Sequence, residues 1–188
     1  GKRAPFFSGF GFSNTLGNTL VSISDPTFAL DDQIAIGWYV GNHHIQSFPE
    51  TIAHFLDLIA VKLNKKLLFF GGSAGGYGSL LISSYLQTEA IVLIWNPQIV
   101  IKNYLKLAVE YFCKIVLIQE EKNEEVSKLI TDLQDRSIPQ KVQVLYLQNI
   151  TDYHHCEKHL YPYIQGKNYY GIGNSTLING EDNVVVSL

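Results

Sequence analysis

Short apolar runs alternate along this chain with segments in which apolar residues recur at helical spacing. The run KLLFF at 66–70 leads into a Gly-rich turn and a small-residue helix over 75–86. AIVLIW at 90–95 and VQVLYL at 142–147 are further short strands. Strands separated by helices predict parallel pairing, because each helix returns the chain to the same end of the sheet. We therefore expect one α/β domain over 1–188, with a mostly parallel sheet and helices on both faces.

The same reasoning places the remaining elements. Pro49 opens a helix, because its missing N–H costs little in the first turn. The apolar face of that helix is formed by Ile52, Phe55, Leu56, Ile59 and Leu63. Further strands are predicted at 4–10, 19–23, 33–40, 113–119 and 183–186, and further helices at 100–112, 123–134 and 157–164.

Composition excludes several classes of protein. A chain that is 46% hydrophobic has enough apolar surface for a core, so it is not intrinsically disordered. Its net charge is −3 and it has no basic run, so we expect no nucleic-acid partner. No apolar run is long enough for a membrane span, and the N-terminal segment lacks the apolar core of a signal peptide. Cys113 and Cys156 have no CxxC spacing, so we expect reduced thiols and a cytoplasmic protein.

The Gly-rich turn contains a G-x-S-x-G pattern at Gly71, Ser73 and Gly75. Between a strand and a helix this pattern is typical of a nucleophile elbow, whose sharp turn lifts the serine hydroxyl above the sheet. The helix N-terminus would offer backbone N–H groups to an oxyanion, the first of them from Ala74. Two alternatives are a phosphate-binding loop, although the Gly-Lys-Ser/Thr ending of a P-loop is absent, and a purely structural turn.

A nucleophilic serine needs a base, and the base needs an acid that orients it. Asp152 follows the strand at 142–147, and His155 comes three residues later, so we predict Asp152 as the acid and His155 as the base. His154 is the second candidate for the base. Two alternatives remain for this segment: Asp152 caps a solvated helix, or His155 and His159 bind zinc at i, i+4 spacing. We expect no cofactor and no metal, since no HExxH acid accompanies the pair.

Other loops at the carboxyl ends of the predicted strands supply candidates for a pocket. Asn96 and Gln98 end the strand after the elbow, and His43 follows the predicted strand at 33–40. Together with His154 they are predicted to contact substrate, although an exposed loop is the alternative for His43. Phe10 ends the first predicted strand and is our candidate for the second oxyanion N–H.

The segments LLFFGGSAGGYGSLL, IVLIWNPQ and VLYLQNITDYHH together resemble α/β-hydrolase-like serine enzymes. They are similar more narrowly to bacterial enzymes of surface polysaccharides, including capsule O-acetyltransferases. The resemblance implies a three-layer sandwich and acyl transfer or ester hydrolysis through an acyl-serine on Ser73, with Asp152 as the acid. The implied partners are a small-molecule or carbohydrate acyl ester and, for transfer, an acyl donor such as acetyl-CoA.

The chain departs from this family at both ends. The family has strands before the oxyanion strand, and its catalytic histidine follows a final strand, whereas only Ser187 and Leu188 follow the last strand predicted here. We therefore expect either that His154 or His155 is the base, or that the chain is a fragment of a longer protein. A non-catalytic carbohydrate-binding or protein-docking domain and a nucleotide-dependent transferase are the alternative functions.

Overall fold

The computed structural model describes residues 4–45, 47–116, 131–172, 176–179 and 184–188. The strands of this part of the chain form one six-stranded sheet. They are β1 (Leu67–Gly72), β2 (Ala90–Trp95), β3 (Val142–Leu147), β4 (Tyr170–Ile172), β5 (Thr176–Asn179) and β6 (Val184–Ser187). Their order across the sheet is β1-β2-β3-β6-β5-β4.

Neighbouring strands β1, β2, β3 and β6 are parallel, whereas β5 pairs antiparallel with both β6 and β4. The predicted α/β class and the mostly parallel sheet are therefore confirmed. β2 and β3 have the bounds expected from the sequence, and β6 is the predicted last strand, shifted by one residue. The short hairpin formed by β4 and β5 was not predicted.

The α-helices of the described residues are α1 (Phe10–Leu16), α2 (Phe48–Leu63), α3 (Ala74–Ser83), α4 (Lys106–Val116), α5 (Tyr153–His155) and α6 (Tyr161–Ile164). The sequence did not predict α1. A π-helical turn (Cys156–Leu160) joins α5 to α6, and single 3-10 turns lie at Pro26–Ala29 and Ile101–Asn103. None of the helices in the described residues is long and apolar enough to cross a membrane.

Helix α2 begins at Phe48, one residue before Pro49, as expected from the sequence. Its buried side includes Ala53 and Leu56, but Phe55 and Leu63 are about half exposed, at 50% and 55%. The predicted helix is therefore correct, and its buried face is narrower than its apolar face.

Two predictions between β2 and β3 are corrected. The predicted helix at 100–112 is a 3-10 turn followed by α4, and α4 continues through 113–116, where a strand was expected. Phe112 and Val116 are both buried and four residues apart, so the segment keeps helical periodicity. Residues 117–119 of that strand and 123–130 of the next predicted helix lie outside the described residues, and 131–134 are not helical.

The strands predicted at 4–10, 19–23 and 33–40 are absent, and Phe10 begins a helix instead. The apolar side chains of the third segment are nevertheless buried, since Ile34, Trp38 and Val40 belong to the core. Side chains take the place of a partner strand: the Asp25 carboxylate accepts hydrogen bonds from the backbone N–H groups of Thr27 (2.9 Å) and Tyr39 (2.6 Å). The first two segments lie beside each other, but serine hydroxyls rather than backbone carbonyls accept their N–H groups: Ser22 Oγ accepts from the N–H of Ser8 at 3.2 Å, so no strand ladder forms.

The two faces of the sheet differ in what covers them. One face lies against α3 and α6, where the ring of Tyr163 stacks on that of Tyr146 at 5.8 Å. Side chains pointing to the opposite face are exposed by 37–45%. They are Leu68, Ile91, Trp95, Leu145 and Leu147.

The sheet topology explains this difference. From β1 to β2, β3 and β6 the chain always moves to the next strand in the same direction. Right-handed crossovers in one direction place their helices on one face. On the second face Phe12 of α1 contacts Phe70, with ring centroids 4.4 Å apart. Among the described residues one face therefore lies against α3 and α6 and the other contacts α1, which shows the α/β class but not the expected full helix layers on both faces.

Candidate functional site

Ser73 joins β1 to α3 in a backbone conformation that residues other than glycine rarely adopt. Its φ is 53° and its ψ is −120°. A non-glycine residue there stores strain of roughly 1–3 kcal/mol, and such strain is concentrated at functional sites. The predicted sharp turn between strand and helix is therefore present, with the serine at its tip.

Small neighbours permit this turn, but not all of the glycines in the motif are needed. A Cβ on Gly71 would lie 2.6 Å from the carbonyl carbon of Gly75, and one on Gly76 would lie 2.7 Å from Cβ of Pro97. A Cβ on Gly75 would meet nothing within 4 Å. The close approach of strand, helix and following loop thus requires Gly71 and Gly76, whereas the last glycine of G-x-S-x-G is free to vary.

The hydroxyl of Ser73 is held by Gln98. Nε2 of Gln98 donates to Oγ of Ser73 at 2.8 Å, and the backbone N–H of Gln98 donates to the carbonyl of Ser73 at 3.1 Å. Gln98 is fully buried, and its Oε1 accepts a hydrogen bond from the indole N–H of Trp38. The sequence predicted Gln98 as a pocket residue, and the structure places it in direct contact with the candidate nucleophile.

The N–H of Ala74 occupies the position expected for an oxyanion donor. Ala74 is the first residue of α3, so its N–H has no acceptor within the helix. The positive end of the helix dipole adds to its attraction for negative charge.

Asp152 and His155 form the predicted pair. Oδ2 of Asp152 lies 2.8 Å from Nδ1 of His155, and Oδ1 accepts from the backbone N–H of His155 at 3.1 Å. The carboxylate therefore caps α5, and its other oxygen lies as close to the imidazole as an orienting acid would. Burial raises the pKa of Asp152, but the backbone and side-chain contacts with His155 outweigh it and leave this pKa below its usual value.

Asn96 connects this pair to the elbow. Its Oδ1 accepts from the backbone N–H of Asn149 at 2.8 Å, and its Nδ2 lies 3.5 Å from Oδ2 of Asp152. Asn96 itself has a positive φ of 39°, which turns the chain sharply after β2. The loop from Asn96 to Gln98 thus contacts Asp152 at one end and Ser73 at the other.

His159 contacts the backbone just after this loop. Its Nδ1 accepts from the backbone N–H groups of Ile99 and Val100, at 3.2 and 3.4 Å. Burial lowers the pKa of His159 to about 3, and the neighbouring rings of His155 and His154 add to the shift. His159 is therefore neutral at physiological pH.

The zinc alternative has no support from this geometry. Because Nδ1 of His159 accepts hydrogen bonds, its Nε2 carries the proton and has no lone pair for a metal. Within the described residues no group of three His, Cys, Asp or Glu side chains is arranged to hold a metal ion. Cys113 and Cys156 are both free thiols.

Some predicted site residues are not brought together. Nε2 of His155 is buried without a hydrogen-bond partner, so His155 and Ser73 are not hydrogen-bonded. The ring of His154 packs beside His155, with centroids 5.6 Å apart. The ring of His43 lies beside that of His44 in a separate turn, with centroids 3.9 Å apart and planes tilted by 47°, and no described contact joins His43 to Ser73. Phe10 is 61% exposed at the start of α1 and likewise has no described contact with the elbow.

A groove of about 370 Å³ lies beside this site, at the carboxyl ends of β2, β3 and β6. The indole of Trp95 lies directly over Gly72, where any side chain would overlap it. No charged side chain lines the groove; its lining residues are Trp95, Asn96, Leu147, Gln148, Asn149, Ser187 and Leu188.

Sequence reasoning missed Trp38 and Trp95, and it considered His159 only as a possible zinc ligand. The only signal for Trp95 was its place at the end of a strand next to Asn96. Trp38 and His159 each lie 60 positions along the chain from the residue that they contact, so no local pattern marks them.

No family model, no curated protein and no solved structure matches this chain. The residues and their geometry are therefore the basis on which a function can be assigned.

Proposed function

We propose that this protein is a serine-dependent acyl hydrolase or acyltransferase that works through an acyl-serine at Ser73. The observation that carries the proposal is the strained conformation of Ser73, which presents its hydroxyl between a helix N-terminus and a polar loop. Strain of this kind persists only where surrounding structure enforces it, and it is typical of nucleophile elbows.

The polar contacts support a consistent set of roles. Gln98 donates to Oγ of Ser73, so the proton of the Ser73 hydroxyl is free to point to a base. His155 is the proposed base, because its Nδ1 faces the Asp152 carboxylate and its Nε2 has no partner. In unliganded sites the bond between base and nucleophile is often loose and tightens when substrate binds.

In the proposed reaction Oγ of Ser73 attacks the acyl carbon of an ester while Nε2 of His155 takes the Oγ proton. The π electrons of the ester carbonyl move to the carbonyl oxygen, and the N–H of Ala74 stabilises the resulting oxyanion. The tetrahedral intermediate then expels the alcohol, which receives the proton from His155. Water or an acceptor hydroxyl releases the acyl group from Ser73 by the same steps in reverse.

The finer parts of the proposal rest on sequence resemblance. They are an α/β-hydrolase-like arrangement, a carbohydrate ester as substrate and acetyl-CoA as an acyl donor for transfer. The proposed cytoplasmic location rests instead on the two cysteines. The parallel order β1-β2-β3-β6 with helices on one face is compatible with part of such a sandwich.

A fluorophosphonate probe tests the nucleophile directly. We expect covalent labelling at Ser73 in the folded protein, mapped by peptide mass spectrometry, and none in Ser73→Ala. Ser79→Ala is the matched control, because Ser79 lies in the same helix and its hydroxyl bonds only to the carbonyl of Gly75. Absence of labelling in the folded wild type, or equal labelling in Ser73→Ala, would exclude the proposal.

Single substitutions then assign the base. We expect His155→Gln to lower the rate of labelling by about 10²–10⁴-fold, the usual contribution of a general base. His154→Gln and His159→Gln should have smaller effects. Equal rates in all three variants would place the base outside this cluster.

The groove favours a second candidate function, a non-catalytic carbohydrate-binding domain. An exposed indole beside several side-chain amides suits a neutral polyhydroxylated ligand. Binding of a neutral oligosaccharide that Trp95→Ala abolishes and Ser73→Ala leaves unchanged, together with no labelling of Ser73, would favour this function over catalysis.

A further inference from the structure

Gln98 is oriented by Trp38, whose indole can donate a hydrogen bond but cannot accept one. The indole Nε1–H of Trp38 is a donor without acceptor capacity, so the group of Gln98 that faces it must be the carbonyl Oε1. The amide –NH₂ of Gln98 must therefore face Ser73, and its Nε2 lies 2.8 Å from Oγ. Both Gln98 and Trp38 are fully buried, which excludes water as a competing partner for this chain of contacts.

We propose that Gln98 is a catalytic residue, the second donor of the oxyanion hole, and that Trp38 is the positioning residue that aims it. This inference rests on the proposed acyl-serine chemistry. In the tetrahedral intermediate the oxyanion and Oγ of Ser73 are bonded to the same carbon. A donor already at hydrogen-bond distance from Oγ reaches that oxygen through a small rotation of its side chain, within the roughly 2.7–3.1 Å that such donors require.

The burial of the amide adds to its effect. A hydrogen bond to a developing negative charge is stronger in a site that excludes water, and an amide held at Oε1 by Trp38 needs only a small reorientation to reach the oxyanion. The N–H of Ala74 approaches from the helix and Gln98 from the loop after β2, so the two donors come from different elements. This assignment replaces Phe10, for which no described contact with the elbow exists.

The hydrogen bond donated by Gln98 follows the negative charge as it develops. As Oγ bonds to the acyl carbon, the π electrons of the carbonyl move to its oxygen, and Nε2–H of Gln98 transfers its hydrogen bond from Oγ to that oxygen. Gln98 stays neutral and gives up no proton. When the carbonyl re-forms and the alcohol leaves, the hydrogen bond returns to Oγ.

The experiment compares an ester with its thionoester, in which sulfur replaces the carbonyl oxygen and accepts hydrogen bonds poorly. We expect Gln98→Met to lower kcat for p-nitrophenyl acetate by about 10²–10³-fold with little change in KM. The ratio of ester to thionoester kcat/KM should fall at least tenfold in this variant. Gln87→Met is the control, because the exposed Gln87 side chain bonds to the carbonyl of Tyr85 just before β2, at the end of the sheet opposite the elbow, and its ratio should equal that of wild type.

Two outcomes would overturn the inference while leaving the proposed function intact. One is a folded Gln98→Met protein with kcat within threefold of wild type. The other is a fallen kcat with an unchanged ratio, which marks a merely structural role. If Gln98→Met does not fold, Trp38→Phe decides, because release of the amide should lower the ratio several-fold and an unchanged ratio refutes the assignment. Failure of wild type to label at Ser73 instead rejects the proposed function.

Discussion

The strain at Ser73 can be measured by comparing two substitutions at the same position. Alanine retains a Cβ and therefore the strain of φ 53° and ψ −120°, whereas glycine has no Cβ and adopts this conformation freely. Both variants lose the 2.8 Å hydrogen bond from Gln98, so that loss cancels in the comparison. The difference in the free energy of unfolding between Ser73→Gly and Ser73→Ala therefore reflects the backbone conformation at this position.

We expect Ser73→Gly to be more stable than Ser73→Ala by about 1–3 kcal/mol, the cost of a residue in a sparsely populated backbone region. In a domain of this size each kcal/mol corresponds to roughly 2–4 °C in Tm. Urea denaturation with a common m-value gives the same difference as a free energy of unfolding.

The control pair lies in the regular part of α3. At Ser79 alanine should be more stable than glycine by roughly 0.5–1 kcal/mol, the ordinary order within a helix. The order of the two residues is therefore predicted to reverse between positions 73 and 79. If alanine equals or exceeds glycine at position 73, the elbow is not strained and the main structural argument for a nucleophile fails.

Three further predictions concern stability. Burial lowers the pKa of His159 to about 3 in the folded protein, against roughly 6.5 in the unfolded chain, so the unfolded chain binds this proton at a higher pH. The contribution of His159 to the free energy of unfolding is therefore complete above about pH 6.5 and is lost as the pH falls toward 3. The loss from this group is at most about 5 kcal/mol. Urea midpoints should fall less with acid in His159→Gln than in wild type or in the exposed-site control His54→Gln, and equal slopes would refute the assignment. Gly71→Ala should lower stability by about 1–3 kcal/mol, because its Cβ meets backbone, while Gly75→Ala should be neutral or stabilising; equal losses in denaturant titration would contradict this. Asp57→Ala should cost about 1–3 kcal/mol by thermal melting, since this buried carboxylate accepts hydrogen bonds that join α2 to the turn after α3, and an unchanged Tm would show these bonds to be dispensable.

The elements that sequence analysis predicted well are those whose signals are local. β2 and β3 are short apolar runs bounded by polar or Gly-rich residues, and their ends were predicted to the residue. The elbow is contiguous in sequence, so its strand, turn and helix could be predicted together. The pairing of Asp152 with His155 was predictable for the same reason, because three residues separate them within one turn.

The elements predicted wrongly depend on neighbours far away in the chain. Residues 33–40 have the apolar pattern of a strand, and Ile34, Trp38 and Val40 are indeed buried. No strand of the described residues pairs with them, however, and the Asp25 carboxylate accepts from the backbone N–H of Tyr39 instead. Apolar periodicity predicts burial, whereas strand pairing also requires a second backbone that local sequence does not specify.

The sequence by itself determined the alternation of strands and helices, the parallel sheet and the position of the serine elbow, since each depends on a few neighbouring residues. The tertiary structure alone decided which face the helices cover, because that depends on the order of the strands in the sheet. It also brought Trp38 to Gln98 and Gln98 to Ser73, across 60 and 25 residues of chain. Hydrogen bonds between distant segments form only when the packed core holds those segments together, and the chemistry proposed here depends on them.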